Sequence, residues 1–291
     1  MNNNTPRGSG RQRSEETLTR MLPARITERD RAISHTLYEH RVLTTGQLAE
    51  LHFDSIERAR KRLAQLHQLG VLDRFRPYRQ HGSHPCHYLL DRHGAQLIAA
   101  ERGRELADLD WSRTRTLRLA SSIQLRHLVE TNGLVTRLAH ALRDLPGCAL
   151  VSWWGQRRCA QAWGELVRPD SYLRLKLPGG ELELWVEYDR GSEQHARLQD
   201  KLDRYQELAL ALERRMTLLL VLQTDRREHE VHRTLRPPEE VLLLTGVASR
   251  HQQDPLAANW LAHDAQRRVS LHQLATKASS DVDSHAPARS I

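Results

Sequence analysis

Several residue types are scarce in this chain of 291 residues, and each scarcity excludes a class of protein. The three cysteines form no Cys-x-x-Cys pair, which argues against a disulfide framework or a structural zinc site. No apolar run approaches the roughly 18 residues of a membrane span, and no signal-peptide pattern opens the chain. We therefore expect a cytoplasmic protein without membrane insertion.

Lysine is the scarce basic residue. The chain has 44 Lys and Arg against 36 Asp and Glu, but its lysines are only Lys61, Lys176, Lys201 and Lys277. Residues 1–119 carry 21 basic and 14 acidic side chains, a net charge of +7, whereas residues 120–291 carry 23 and 22, a net charge of +1. A basic first half indicates a polyanionic partner, with DNA or RNA ahead of a membrane surface.

Composition and periodicity divide the chain into five segments. Residues 1–22 and 277–291 are predicted to be a disordered basic arm and a disordered tail. Residues 23–104 form the first predicted domain, 105–119 a linker, and 120–276 the second domain. Apolar residues make up 39% of the chain, which is enough for two hydrophobic cores.

Three short helices and a β-hairpin are predicted in the first domain, which is the order of a winged helix-turn-helix. The three helices are expected at Glu28–His40, from Thr44 or Thr45 to Leu51, and at Ser55–Leu69, and the strands at Val71–Phe75 and Cys86–Leu90. A further helix is expected after the hairpin, at Arg92–Arg102. Gly70 should end the third helix.

Basic side chains on the third helix and the hairpin, or wing, are candidates for contact with double-stranded DNA. They are Arg58, Arg60, Lys61, Arg62 and Gln65 on the helix, and Arg74, Arg76, Arg79 and His81 on the wing. A solvated helix face in a protein-binding domain is the alternative. His81, His84, Cys86 and His87 also allow a metal site, against the plainer interpretation of a histidine-rich wing tip.

The second domain is predicted to have the order αβββαβαβ, so that the whole chain is of the α+β class. Its helices are expected at Ser121–Leu142, Gln194–Glu213 and Arg226–Leu235, and its strands at Ala149–Trp154, Ser171–Leu177, Glu181–Tyr188, Met216–Leu222 and Val241–Thr245. Pro178, Gly179 and Gly180 should form the turn of a hairpin.

Three carboxylates are expected to converge at the open end of that hairpin. Asp170 begins one strand, Glu187 ends its partner, and Asp189 lies on the same strand face as Glu187. Carboxylate oxygens suit Mg²⁺ or Mn²⁺, so all three are candidate metal ligands. The alternative is that they are ordinary polar strand ends, with residues 189–191 making a turn.

This pattern and the αβββαβ order resemble the PD-(D/E)XK nucleases, in which acid-bound Mg²⁺ assists phosphodiester hydrolysis. Asp189 stands where that superfamily has a lysine. Lys201 is the first candidate for the missing cation, because Lys201-x-x-x-Tyr205 resembles the Gln-x-x-x-Tyr motif of RecB-like nucleases. Arg190 is a second candidate, and Glu130 could add an acid.

The two halves together resemble the replication-relaxation family. The motifs that carry the likeness are Leu43-Thr44-Thr45-Gly46-Gln47-Leu48, Gly82-Ser83-x-Pro85-x-His87-Tyr88, Pro169-Asp170, Glu187-Tyr188-Asp189-Arg190-Gly191-Ser192-Glu193 and Lys201-Leu202-x-x-Tyr205. The resemblance implies a plasmid or integrative-element protein, similar to restriction-endonuclease-like mobilisation relaxases. It implies origin recognition by the winged helix, nicking by Asp170, Glu187, Asp189 and Lys201, and coupling or replication proteins of conjugation as partners.

Two functions of different classes remain open on the sequence. One is a Mg²⁺-dependent nicking enzyme, with either tyrosine covalent linkage or none. The other is a regulator of replication or transcription that binds DNA without cleaving it and carries a degenerate nuclease-like domain. A phage or defence nuclease would share the chemistry of the first function.

Overall fold

The computed structural model describes residues 25–78, 82, 84–191 and 193–276. The chain divides into two compact units, Met1–Leu125 and Arg126–Ile291. The α+β class is confirmed, since helices combine with a three-stranded and a seven-stranded sheet. Within the described residues, we find no helix with the length and apolar character of a membrane span. The expected arm (1–22) and tail (277–291) lie outside the described residues.

The first unit contains the predicted helices almost residue for residue. The elements are α1 (Glu28–His40), β1 (Leu43–Thr44), α2 (Thr45–His52), α3 (Ile56–Gln68), β2 (Leu72–Phe75), β3 (His87–Leu90), α4 (Arg92–Glu101) and α5 (Arg113–Arg118). Thr27 and Thr44 begin α1 and α2 with capping boxes, in which side chain and backbone exchange hydrogen bonds with the third helical residue. The short β1 was not expected from the sequence, and it joins β3 in a sheet of order β1-β3-β2.

Glycine is required where α3 ends. Gly70 has a φ of +67°, and a Cβ atom at this position would approach His93 Nδ1 to 2.9 Å. The chain therefore reverses tightly between the helix and β2, as the sequence predicted.

Residues 105–119, the predicted linker, contain a 3₁₀ turn at Leu106–Asp108 and all of α5. Arg113 in α5 forms ion pairs with Asp73 (3.7 Å) and Asp91 (3.2 Å), so this segment packs within the first unit. A polar sequence without a clear period gave no signal for so short a helix.

The second unit is built on a seven-stranded sheet. Its elements are α6 (Leu125–Leu142), β4 (Ala149–Gly155), α7 (Gln156–Trp163), β5 (Ser171–Leu177), β6 (Gly180–Asp189), α8 (His195–Ala211), β7 (Met216–Leu222), α9 (Asp225–Thr234), β8 (Val241–Val247), α10 (Ala248–Gln253), β9 (Trp260–Ala262) and β10 (Arg268–Val269). The strand order is β10-β9-β8-β7-β6-β5-β4. The central pairs β6–β7 and β7–β8 are parallel, and the remaining pairs are antiparallel.

The predicted element order αβββαβαβ was wrong in one respect, because α7 separates β4 from β5 and makes the order αβαββαβαβ. This helix has eight residues, and Cys159 is the one that is buried, so its apolar period is too weak to recognise. The helix expected from Ser121 begins at Leu125. Three elements that follow β8 were not predicted, because each is very short: α10, β9 and β10.

Hydrophobic cores cover both faces of the large sheet. Leu134, Val135 and Leu138 of α6 pack on one face. Leu198, Leu202 and Tyr205 of α8 pack on the other. Because side chains alternate along a strand, β6 sends Tyr188 to the α6 face and Trp185 to the α8 face.

Candidate active site

Asp170 and Glu187 are brought together by the hairpin of β5 and β6. Ser171 pairs with Val186 in the antiparallel register, which places the residue before β5 next to the one that follows Val186 in β6. Asp170 Oδ2 accepts a hydrogen bond from the backbone N–H of Tyr188 at 2.9 Å. The sequence predicted this juxtaposition from the length of the two strands and their turn.

Glu187 is held from the α8 side of the sheet. It is 5% exposed, and its two carboxylate oxygens accept from Tyr205 Oη at 2.7 Å and Lys201 Nζ at 3.0 Å. Burial, followed by the charge of Asp170, raises the pKa of Glu187 to about 7. Its carboxyl group therefore keeps its proton to a higher pH than an exposed glutamate would.

Lys201 lies between two carboxylates. Its Nζ is 3.0 Å from Glu187 Oε2 and 3.5 Å from Glu193 Oε2. Burial disfavours the charged ammonium, but the charges of Glu187 and Glu193 outweigh burial and raise the lysine pKa. A cation therefore lies beside Glu187, as predicted. It comes from helix α8, whereas the nuclease pattern has its lysine on the strand, at the position of Asp189.

Asp189, the third predicted ligand, has different partners. Its side chain is 1% exposed, and its oxygens accept from Arg227 Nε at 2.8 Å and from the Gly191 N–H at 2.7 Å. Arg227, at the start of α9, also contacts His195 Nε2 at 2.7 Å. These contacts tie the end of β6 to the first turns of α8 and α9.

His127 and Arg227 were missed by the sequence analysis. His127 Nε2, on α6, is 2.9 Å from Asp170 Oδ1, and this contact raises the histidine pKa against the opposing effect of burial. No local motif marks either residue, because the contacts join elements distant in sequence.

Glu130 and Arg190, the additional candidates, pair with each other. Arg190 Nε is 3.4 Å from Glu130 Oε2, and Arg126 Nε is 2.7 Å from Glu130 Oε1. The cation beside Glu187 is therefore Lys201 rather than Arg190.

The candidate DNA-contacting residues of the first unit differ in their availability. Arg58, Arg60, Lys61 and Gln65 of α3 are exposed, as are Arg74 and Arg76 at the hairpin. Arg62 is instead bound to buried Asp30, with its Nε 2.9 Å from Asp30 Oδ1. Arg79 and His81 lie outside the described residues.

A comparison with protein families gives a match to the replication-relaxation model over residues 35–221, almost two thirds of the chain. The chain belongs to the replication-relaxation family. This confirms the resemblance seen in the motifs, and membership indicates a role in plasmid or element replication or mobilisation. No curated protein and no solved structure matches the chain.

The matched region of this replication-relaxation protein contains α3, both strands of the acidic hairpin and α8. It therefore includes Asp170, Glu187, Lys201 and Tyr205. Arg227 lies beyond its end, although it binds Asp189.

The oxygen donors present fit a divalent cation only in part. Asp170 and Glu187 offer adjacent carboxylates whose mutual repulsion a cation would relieve. Asp189 already has an arginine partner. Within the described residues no group of three or more His, Cys, Asp or Glu side chains is placed to hold a metal ion, and this includes His84, Cys86 and His87.

Proposed function

We propose that the protein binds origin DNA of a plasmid or integrative element and nicks one strand by metal-dependent phosphodiester hydrolysis. The observation that carries this proposal is the arrangement around Glu187. A buried carboxylate with a neighbouring Asp170 is contacted by Lys201 and Tyr205 from the following helix. Coupling or replication proteins are the partners that this function would require.

DNA recognition is assigned to the first unit. The order of α1, α2 and α3 followed by the β2–β3 hairpin supports a winged helix, with α3 in the major groove. Arg58, Arg60 and Lys61 are exposed on that helix and would contact phosphates and base edges.

Hydrolysis is assigned to the hairpin of β5 and β6, which with α8 resembles a restriction-endonuclease-like core. Asp170 and Glu187 would hold Mg²⁺ or Mn²⁺, while Asp189 positions the end of β6 through Arg227. When bound, the ion supplies Lewis-acid activation of the phosphate and of a water. Lys201 would stabilise charge on the phosphate, Tyr205 orients Glu187, and His127 orients Asp170.

A second function is favoured by the same contacts. His127, Lys201 and Arg227 each pair with one of the three carboxylates, so the cluster is neutralised without a metal. A replication or transcription regulator that binds DNA but does not cleave it would need no more than this.

Nicking of supercoiled plasmid separates the two functions. The plasmid carries the DNA that flanks the protein's own gene, and each reaction contains Mg²⁺, Mn²⁺ or chelator. We expect metal-dependent conversion to open circles by the wild type, and none by Glu187→Gln. Glu207→Gln, the same chemical change at an exposed position of α8, serves as the matched control and should nick normally. A DNA mobility shift without nicking in any metal would establish the regulator instead.

A further inference from the structure

A cleft in the second unit adjoins Lys201 and has not been assigned a role. It has a volume of about 540 Å³ and lies between the 164–168 segment, which precedes β5, and one side of α8. Four of its lining side chains are basic: Arg168, Arg197, Lys201 and Arg204. Its position beside Asp170 and Glu187 makes it a candidate for binding the DNA strand on which these carboxylates would act.

Three of these basic residues share one side of α8. Arg197, Lys201 and Arg204 follow one another at spacings of four and three residues, which place them on the same side of a helix. The neighbouring Leu198 and Leu202 are buried in the core, so this register is fixed. From Arg197 to Arg204 the helix rises about 10 Å, which is the axial length of about three phosphates of a B-form strand.

The outer two arginines are available to a ligand. Arg197 and Arg204 are exposed, and neither forms an ion pair within 4 Å of any acid in the part of the chain that the structure describes. Exposed guanidinium groups without an acidic partner are suited to bidentate hydrogen bonds with phosphate oxygens.

Acidic residues also line the cleft, and they limit what it can bind. Glu165, Glu193 and Asp200 stand against the four basic residues, and Glu193 already contacts Lys201 at 3.5 Å. The remaining two acids face three arginines. Because the excess of positive charge is small, the cleft is suited to contact a polyanion at a few defined phosphates rather than to attract it through a broad positive field.

We propose that this cleft binds the phosphodiester backbone of a DNA strand through Arg168, Arg197 and Arg204, and directs it toward Lys201. Binding by the cleft does not depend on cleavage, whereas the direction of the strand toward Lys201 rests on the proposed nicking function. The cleft is thus a second DNA-binding surface, distinct from the exposed face of α3.

The test measures the salt dependence of DNA binding by the full-length protein in chelator, where no metal-dependent cleavage occurs. Fluorescence anisotropy is recorded with a labelled 20-nucleotide single strand and with the duplex of the same sequence. The Arg197→Gln/Arg204→Gln variant is compared with the wild type. Arg215→Gln/Arg233→Gln is the matched control, since it removes the same charge from exposed positions near the start of β7 and the end of α9.

Loss of two phosphate contacts should reduce the slope of log affinity against log salt by about 1.8 for a duplex or about 1.4 for a single strand. Between 50 and 200 mM salt, the wild type would then lose about 12-fold or about 7-fold more affinity than the variant. The probe that shows this change identifies the form of DNA that the cleft binds. Unchanged slopes with both probes, or an equal change in the control, would overturn the proposal.

The plasmid assay keeps the two proposals separable. A wild type that shows the cleft-dependent slope but nicks in no metal retains the DNA-binding cleft and loses the proposed nicking function. Metal-dependent nicking by the wild type, together with equal salt slopes for the wild type and the Arg197→Gln/Arg204→Gln variant, would retain the proposed nicking function and overturn the DNA-binding cleft. Unfolding curves by circular dichroism establish that both double variants are folded.

Discussion

Arg62 was a sequence-based candidate for DNA contact, but its replacement should act first on folding. Its guanidinium donates to both oxygens of Asp30, whose side chain is fully buried, and to the backbone carbonyl of Arg25. Thr27 donates two further hydrogen bonds to the same carboxylate. Arg62→Ala removes the one cation in this set and leaves a buried charge without its partner.

Arg62→Ala should lower the free energy of unfolding of the first unit by about 3–5 kcal/mol, the usual result of removing one member of a buried ion pair. Burial alone would raise the pKa of Asp30, but hydrogen bonds from Arg62 and Thr27 outweigh it and lower the pKa below its ordinary value of 3.8. A lowered pKa stabilises the fold above that ordinary value, and this contribution is lost as the pH falls through the folded value. The penalty of Arg62→Ala should therefore shrink in acid, where Asp30 is protonated.

Hydrogen exchange of peptides from α1 and α3 measures this loss locally, because both helices belong to the first unit. Exchange in Arg62→Ala should be roughly 100- to 5,000-fold faster than in the wild type at neutral pH. Arg60→Ala, an exposed change on the same helix, should leave exchange almost unaltered. If Arg62→Ala weakened DNA binding with normal exchange, Arg62 would be a DNA contact and our reasoning would be refuted.

Three further predictions concern the acidic site and α3. Arg227→Ala should lower the free energy of unfolding of the second unit, measured in urea, by about 3 kcal/mol, because Asp189 loses its partner. Adding Asp189→Asn should restore part of that loss, and a double variant whose loss equals the sum of the two single losses would contradict the pairing. At metal concentrations well below saturation, nicking should rise about tenfold per pH unit up to about 7 and then level off, because protons compete with the cation for Glu187; a plateau from pH 5 under these conditions would refute this. Arg60→Gln and Lys61→Gln should each reduce the salt slope of duplex binding by about 1, and unchanged slopes would remove α3 from the DNA interface.

Local signals made much of the fold predictable. Thr27, Thr44 and Ser55 each begin the helix that the sequence placed after them, because a capping side chain acts within three residues. Met216–Leu222 is a buried central strand at the predicted bounds, since a run that is apolar apart from Thr217 is typical of a strand covered on both faces. The short α7 and β9, with eight and three residues, are too short to show a recognisable hydrophobic period.

The candidate site was predictable along one hairpin and one helix. Asp170 and Glu187 meet because strand length and turn position fix their register, and Lys201 and Tyr205 face Glu187 because they are one helical turn apart. The partners of Asp170 and Asp189 were not predictable. His127 of α6 and Arg227 of α9 contact them from elements that are distant in sequence, and one arginine among so many carries no signal of its own.

The most direct test of the proposed metal chemistry is Mn²⁺ binding, measured by electron paramagnetic resonance on the full-length protein without DNA. The wild type and Glu207→Gln should each bind Mn²⁺ at a site that both Asp170→Asn and Glu187→Gln abolish. Binding that is equal in all four proteins, or absent from the wild type, would contradict a metal site at Asp170 and Glu187.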